Sequence, residues 1–191
     1  MRVPQLRRIA AMAAIGSALF VAFVTTPAHA ETRQTIDPKD AVAAITQEID
    51  QVNPASATGY AAARTEAGTP LSADVTTLSL SCWTWTVGVK GTNIWGSTLW
   101  KYFQEIYWCR DGYRVWYTSV VRRWGETYWP GWSYKGVINR WSYGGSGYTY
   151  WTVGSQGHFC FVSYFDCVQD KYPWVEQTVR GSGYNTWRYG G

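Results

Sequence analysis

The side chains in this chain best suited to chemistry are carboxylates. Glu105 and Glu176 stand in strand-like, aromatic-rich sequence and Glu126 in the loop after the third expected strand, and two such groups facing one another can perform acid/base and nucleophilic work on a glycosidic bond. His158, between Gly157 and Phe159-Cys160-Phe161, is the only histidine beyond residue 30. One imidazole cannot assemble a metal cluster, and a lone strand histidine is expected to be a structural polar residue. No serine sits in a Gly-x-Ser-x-Gly context. Gly144-Gly145-Ser146-Gly147 is followed by neither lysine nor helix, so it reads as a flexible turn and not as a phosphate loop. Cys82, Cys109, Cys160 and Cys167 lack CxxC spacing, which argues against a tetrathiolate zinc site and for disulfides. Of the three pairings, the local one is expected, Cys82 with Cys109 and Cys160 with Cys167. Loop closure then contributes about 3.6 and about 2.5 kcal/mol. No metal and no cofactor is expected.

Tyr172-Pro173-Trp174-Val175-Glu176 resembles the Pro-hydrophobic-Val-Glu nucleophile strand of the small secreted jelly-roll xylanases, which are similarly rich in Trp and Tyr. The resemblance covers these five residues and implies a nucleophilic role for Glu176. Those enzymes carry their acid/base glutamate far downstream, whereas Glu176 is the last carboxylate of this chain. A partner would have to be Glu105 or Glu126, in a different arrangement.

These residues belong to a block running from Cys82 to Trp187. All thirteen Trp, and thirteen of the fourteen Tyr, lie in it or just past its end at Tyr189. Period-two alternation, bounded by Gly, Pro, Asn and Asp, predicts strands over 76–90, 98–109, 113–124, 134–143, 148–153, 157–165, 174–180 and 184–189. Asp111-Gly112 is a hairpin signal between the second and third. Seven or eight short strands without intervening helices imply an all-β antiparallel sandwich or small barrel.

Upstream, Arg2, Arg7 and Arg8, the apolar run from Ile9 to Val24 and the small-x-small site Ala28-His29-Ala30 read as a signal peptide over residues 1–30. Sixteen apolar residues fall short of the ~20 needed to cross a bilayer, so no transmembrane anchor is expected after cleavage. The protein is expected to be secreted, where disulfides persist. Asp37-Pro38 reads as a helix start, and Val42, Ile45, Ile49 and Val52 as the apolar stripe of one short amphipathic helix. Residues 55–73 read as linker. The acidic helix plus linker over 31–75 is expected either as a spacer or as a pro-segment covering the β domain of 76–191.

Glu31 to Leu80 carries three basic and seven acidic residues, a net charge of −4, and Ser81 to Gly191 eleven basic and six acidic, a net charge of +5. A mildly basic exported domain can meet an anionic envelope polymer. Its scattered cations lack the stripe that nucleic acid requires.

One face of each strand cannot hold all the aromatics, so some of them are expected to meet a partner. Trp129 and Trp132 in the Tyr128-Trp129-Pro130-Gly131-Trp132 loop are the first candidates for ligand binding, with Tyr128 and Trp95 beside them. The leading expectation is a non-catalytic binding or surface-interaction module for an envelope glycan or an exported protein. The alternatives are a small glycoside hydrolase using Glu176 with Glu105 or Glu126, and a membrane-active toxin whose Trp and Tyr insert at the lipid interface.

Overall fold

A computed structural model describes residues 36–57, 80–163 and 166–191. The leader over 1–30, most of the linker and the beginning of the first expected strand lie outside the described residues. Among the described residues, which fall in one compact unit, nine strands make two antiparallel sheets. The first sheet runs β1 (Ala44–Ala55), β2 (Ser81–Thr92), β3 (Thr98–Arg110), β4 (Val115–Thr127). The second runs β5 (Trp132–Gly144), β6 (Tyr150–Ser163), β8 (Trp174–Arg180), β9 (Thr186–Gly190), with β7 (Asp166–Lys171) pairing the far half of β6. The expected all-β sandwich is what the chain forms.

The segment expected to be a helix is a correction. Asp37 does start one turn, its carbonyl accepting the Asp40 and Ala41 N–H groups at 2.8 and 3.2 Å, but the chain then becomes strand β1. β1 pairs with β2 from Ala44↔Thr92 to Ala55↔Cys82, so residues read as lying outside the β domain supply its edge strand. A bulge between Gln47 and Ile49 explains the misleading spacing. It flips the phase of alternation, so Ile45 points inward while Ile49 packs outward beside Phe103 and Gly88, and apolar residues three and four apart fit an extended chain. Isolated helices this short are marginal in water, whereas β-branched residues against an open sheet edge gain a full ladder.

Two expected strands are one. The glycines around 154–157 read as a break, yet β6 continues through them because aromatic rings occupy the space a side chain would need. A Cβ on Gly154 would lie 2.2 Å from the Trp141 ring, and one on Gly157 2.7 Å from Tyr102. Glycine here marks close approach within a strand.

The core lies between the sheets: Trp85, Trp100, Tyr102, Ile106 and Trp108 from the first, with Trp151, Phe159, Val175 and Val179 from the second. The outer face of the first sheet also hides aromatics. Tyr107 and Tyr117 pack around the Cys82–Cys109 disulfide, and Phe103 stacks on Trp124 at 4.7 Å. Several indoles are held by carboxylates: the buried Trp85 and the half-buried Trp187 donate to the two oxygens of Asp50 at 2.6 and 2.9 Å, and the half-buried Trp116 and Trp124 donate to Asp111 at 2.7 Å and to Glu126 at 2.9 Å. Asp50 thereby joins β1 to both sheets.

Outside the same sheet, Glu48 accepts from Lys101 and lies 3.1 Å from Lys90. The Lys101 hydrogen bond chiefly, and Lys90 with it, hold Glu48 below the ordinary glutamate value of 4.5 despite the opposing effect of burial. A carboxyl whose folded pKa is depressed stabilises above its unfolded pKa and loses that contribution as pH falls through the folded one. Glu48→Gln is therefore expected to flatten the fall in stability below pH 4.5, as measured by urea midpoints across an acid series. An unchanged slope would show that the cluster contributes nothing.

Candidate functional site

The outer face of the second sheet carries a lattice of side chains set by register. Tyr150 pairs with Arg180. One step along, Tyr143, Thr152, Thr178 and Thr186 form a row across four strands, with Thr152 and Thr178 hydroxyls 2.8 Å apart. The next row is Trp141, Gly154, Glu176 and Arg188, and the last is Asn139, Gln156, Trp174 and Gly190. Rows two residues apart give a surface about 20 Å long from first to last. Two bulges in β5, between Tyr134 and Gly136 and between Val137 and Asn139, set the phase that turns Trp141 and Tyr143 outward.

Glycine shapes this surface. With no side chain on Gly154, the Trp141 indole lies across β6 and reaches β8, where its Nε1 donates to Glu176 Oε2 at 2.6 Å. Gly190 makes room for the Trp174 ring in the same way, a Cβ there falling 2.8 Å from the indole. Arg188 Nε donates to Glu176 Oε1 at 2.7 Å, and this hydrogen bond holds the exposed guanidinium above its ordinary value. Glu176 faces outward yet is only 8% exposed, covered by the indole and the guanidinium. On either side of it lie two hollows, one of about 610 Å³ lined by Tyr143, Tyr150, the three threonines, Arg180 and Trp187, the other of about 400 Å³ lined by Asn139, Gln156, Trp141 and Trp174.

Both Glu176 oxygens are engaged by donors, and Glu176 is the one carboxylate among the residues lining either hollow. Glu105 and Glu126 are not its partners. They stand on the outer face of the other sheet, Glu105 bound to Arg122 at 2.6 Å and Glu126 to Trp124 and Tyr128, with the whole sandwich between them and Glu176. The two-carboxylate arrangement expected from the xylanase resemblance is not assembled.

The loop candidates are divided. Trp132 is 5% exposed, packed against Trp100 and Phe161, its Nε1 donating to the Asp40 carbonyl at 3.0 Å. β5 begins at Trp132, so strand alternation turns it inward. Trp129 is half-buried against the core and donates to Asp40 Oδ1 at 2.8 Å. Trp132 is therefore a correction, turned inward instead of facing a ligand, while Trp129 keeps a partly exposed ring; both tie the β4–β5 connection to the N-terminal turn. Tyr128 is 52% exposed, with the Lys101 ammonium over its ring, and Trp95 is 64% exposed beside Ile94 in the β2–β3 connection. They share no surface with the lattice.

The cysteines pair locally, Cys82 with Cys109 as direct neighbours on β2 and β3, and Cys160 with Cys167 between β6 and β7. Cys160, Cys167 and Asp170 lie close enough to suggest a metal cluster, but both sulfurs are consumed in the disulfide and offer no thiolate. His158 Nε2 lies 2.6 Å from Asp170 and its ring stacks on Tyr172.

Comparison of the chain with protein-family models, with curated proteins and with solved structures finds no match.

Proposed function

We propose that the protein is an exported, non-catalytic glycan-binding module whose recognition surface is the outer face of the second sheet. The row structure around Glu176 carries this reading. Exposed rings supply flat apolar area for sugar faces, while the threonine row, Asn139, Gln156, Arg180 and Arg188 supply the hydrogen-bonding groups that fix orientation. Two donors anchor Glu176, which holds Trp141 and Arg188 in fixed positions, so little ordering is left to binding.

Retention on a panel of insoluble envelope polysaccharides, with affinity electrophoresis on soluble ones, tests the proposal. Trp174→Ala and Tyr143→Ala are each expected to weaken binding about tenfold, a loss of about 1.4 kcal/mol, with unfolding midpoints little changed. Gly154→Ala is expected to do the same without removing any ligand contact, because its methyl group would displace the Trp141 indole. Unaltered retention in all three variants would refute the platform. Release of reducing ends that disappears in Glu176→Gln would replace it with the hydrolase reading.

A protein ligand is favoured by one separate observation. Tyr113, Tyr148 and Tyr184, 67, 60 and 69% exposed, stand on three hairpin connections at one end of the sandwich. These connections are locked together: Gly147 N–H donates to Val115 O at 2.7 Å, Gly181 N–H to Thr149 O at 2.9 Å, and Arg110 Nη1 to Gly181 O at 3.0 Å. Rigid loops of Tyr, Gly, Ser and Asn are the means by which antibody loops bind proteins. If this end is the working surface, alanine at the three tyrosines abolishes binding to an exported partner and leaves glycan retention intact.

A further inference from the structure

β4 and β5 stand at the same edge of the sandwich, one in each sheet, with no hydrogen-bonded ladder between them. Their inward side chains meet over a polar interior. Gln104 on β3 and Ser155 on β6 are fully buried and bonded to each other across the gap, Ser155 Oγ donating to Gln104 Oε1 at 2.7 Å. Arg123 is the cross-strand neighbour of Gln104, and Arg140 that of Ser155. Register together with this one hydrogen bond therefore sets two arginines at the same level of the open edge, one from each sheet.

Neither guanidinium forms an ion pair among the described residues. Arg123 is half-buried, and among the described residues its one hydrogen bond is from Nε to Gln104 Oε1 at 2.8 Å. Its remaining N–H groups meet no acceptor among those residues. Burial is the first reason that Arg123 is held below the ordinary guanidinium value, and the charge of Arg140 adds to it. Tyr134, between Tyr102 and Phe159, has a buried hydroxyl with no hydrogen-bond partner among the described residues, and burial pushes it up to about 12, so it remains a donor. The free groups here are donors or cations, and a half-buried charge without a counter-charge is costly.

We infer that Arg123, Arg140 and the Tyr134 hydroxyl form a binding site for a single oxyanion, a carboxylate or phosphate group. A planar or tetrahedral oxyanion matches the fork of a guanidinium and brings the missing negative charge and acceptors. It enters from the open edge, away from the lattice on the outer face of the second sheet, so the site stands whether or not that lattice binds glycan.

Thermal unfolding and titration calorimetry of the purified protein with sodium phosphate, methyl phosphate and methyl glucuronate test the site, against sodium chloride at matched ionic strength. Inorganic phosphate binding alone identifies a free-ion site. Tighter binding of methyl phosphate or methyl glucuronate identifies a group carried on a larger molecule. The oxyanions, and not chloride, are expected to raise the midpoint saturably, and Arg140→Gln to weaken binding at least tenfold. Tyr134→Phe keeps the ring and removes only the hydroxyl. It is expected to be as stable as the parent in anion-free buffer and to bind the oxyanion severalfold more weakly. A response to chloride equal to that of the oxyanions, or undiminished affinity in both variants, would overturn the assignment.

Discussion

Truncation of Trp100 to alanine is expected to lower stability by about 3–5 kcal/mol, the largest effect of any single substitution considered. Its side chain is fully buried, stacks on Phe159 with ring centroids 4.6 Å apart and touches Trp132. It also fills the space left by Gly91 on the neighbouring strand, where a Cβ would fall 2.4 Å from the indole. Removing the ring empties a volume bounded by both sheets, which rigid β-strands can close only in part. At about 2–4 °C per kcal/mol for a domain of this size, the midpoint falls by about 6–20 °C. Trp100→Phe separates two contributions. Trp100 Nε1 is buried and has no partner, so the phenyl ring loses volume but also removes an unsatisfied donor, and its cost is expected to be well under half that of alanine. Urea unfolding of both variants measures the difference. A loss below about 1 kcal/mol for Trp100→Ala would mean that the ring does not hold the two sheets together.

Loss of the Cys82–Cys109 bridge is expected to rank next. The bridge closes a sequence separation of 27, for which the chain-entropy relation gives about 3.6 kcal/mol, against about 2.5 kcal/mol for the separation of 7 between Cys160 and Cys167. The site adds to the asymmetry. Cys82 and Cys109 are buried under Tyr107 and Tyr117 on the outer face of the first sheet, whereas Cys167 is exposed on a six-residue strand that pairs only with the end of β6. Double alanine variants of each pair, unfolded in urea, should order as Cys82/Cys109 below Cys160/Cys167 below parent. The reverse order would place the principal cross-link of the domain at β7.

The exchange of roles among the aromatics shows where the sequence alone stops. Thirteen Trp suggested a surplus of rings that must face a partner. Carboxylates absorb much of that surplus: Asp40, Asp50, Asp111, Glu126 and Glu176 accept indole N–H groups and allow buried and half-buried rings to remain satisfied. Glu126 and Asp111 lie only 2 and 5 residues from their indoles, but Asp40, Asp50 and Glu176 lie far from theirs, Asp50 137 residues from Trp187, so no local pattern announces those pairings. The lattice around Glu176 had a signal, the period-two placement of Trp141 and Tyr143, Thr152, Glu176 and Thr178, and Arg188. It was concealed by the bulges in β5 and by glycines that read as turns.

Composition and alternation determined the all-β class and most strands and narrowed the architecture to a sandwich or small barrel, because the period of two is a property of the extended backbone itself. Cysteine spacing pointed to the local disulfides for a related reason, since neighbouring antiparallel strands return the chain to its own starting level. Only the tertiary structure decided that residues 44–55 form an edge strand, that Trp132 turns inward, and that Glu176 lies apart from Glu105 and Glu126. Each of those outcomes depends on which face of which sheet a residue occupies, and a single bulge reverses that face while leaving composition and average periodicity almost unchanged.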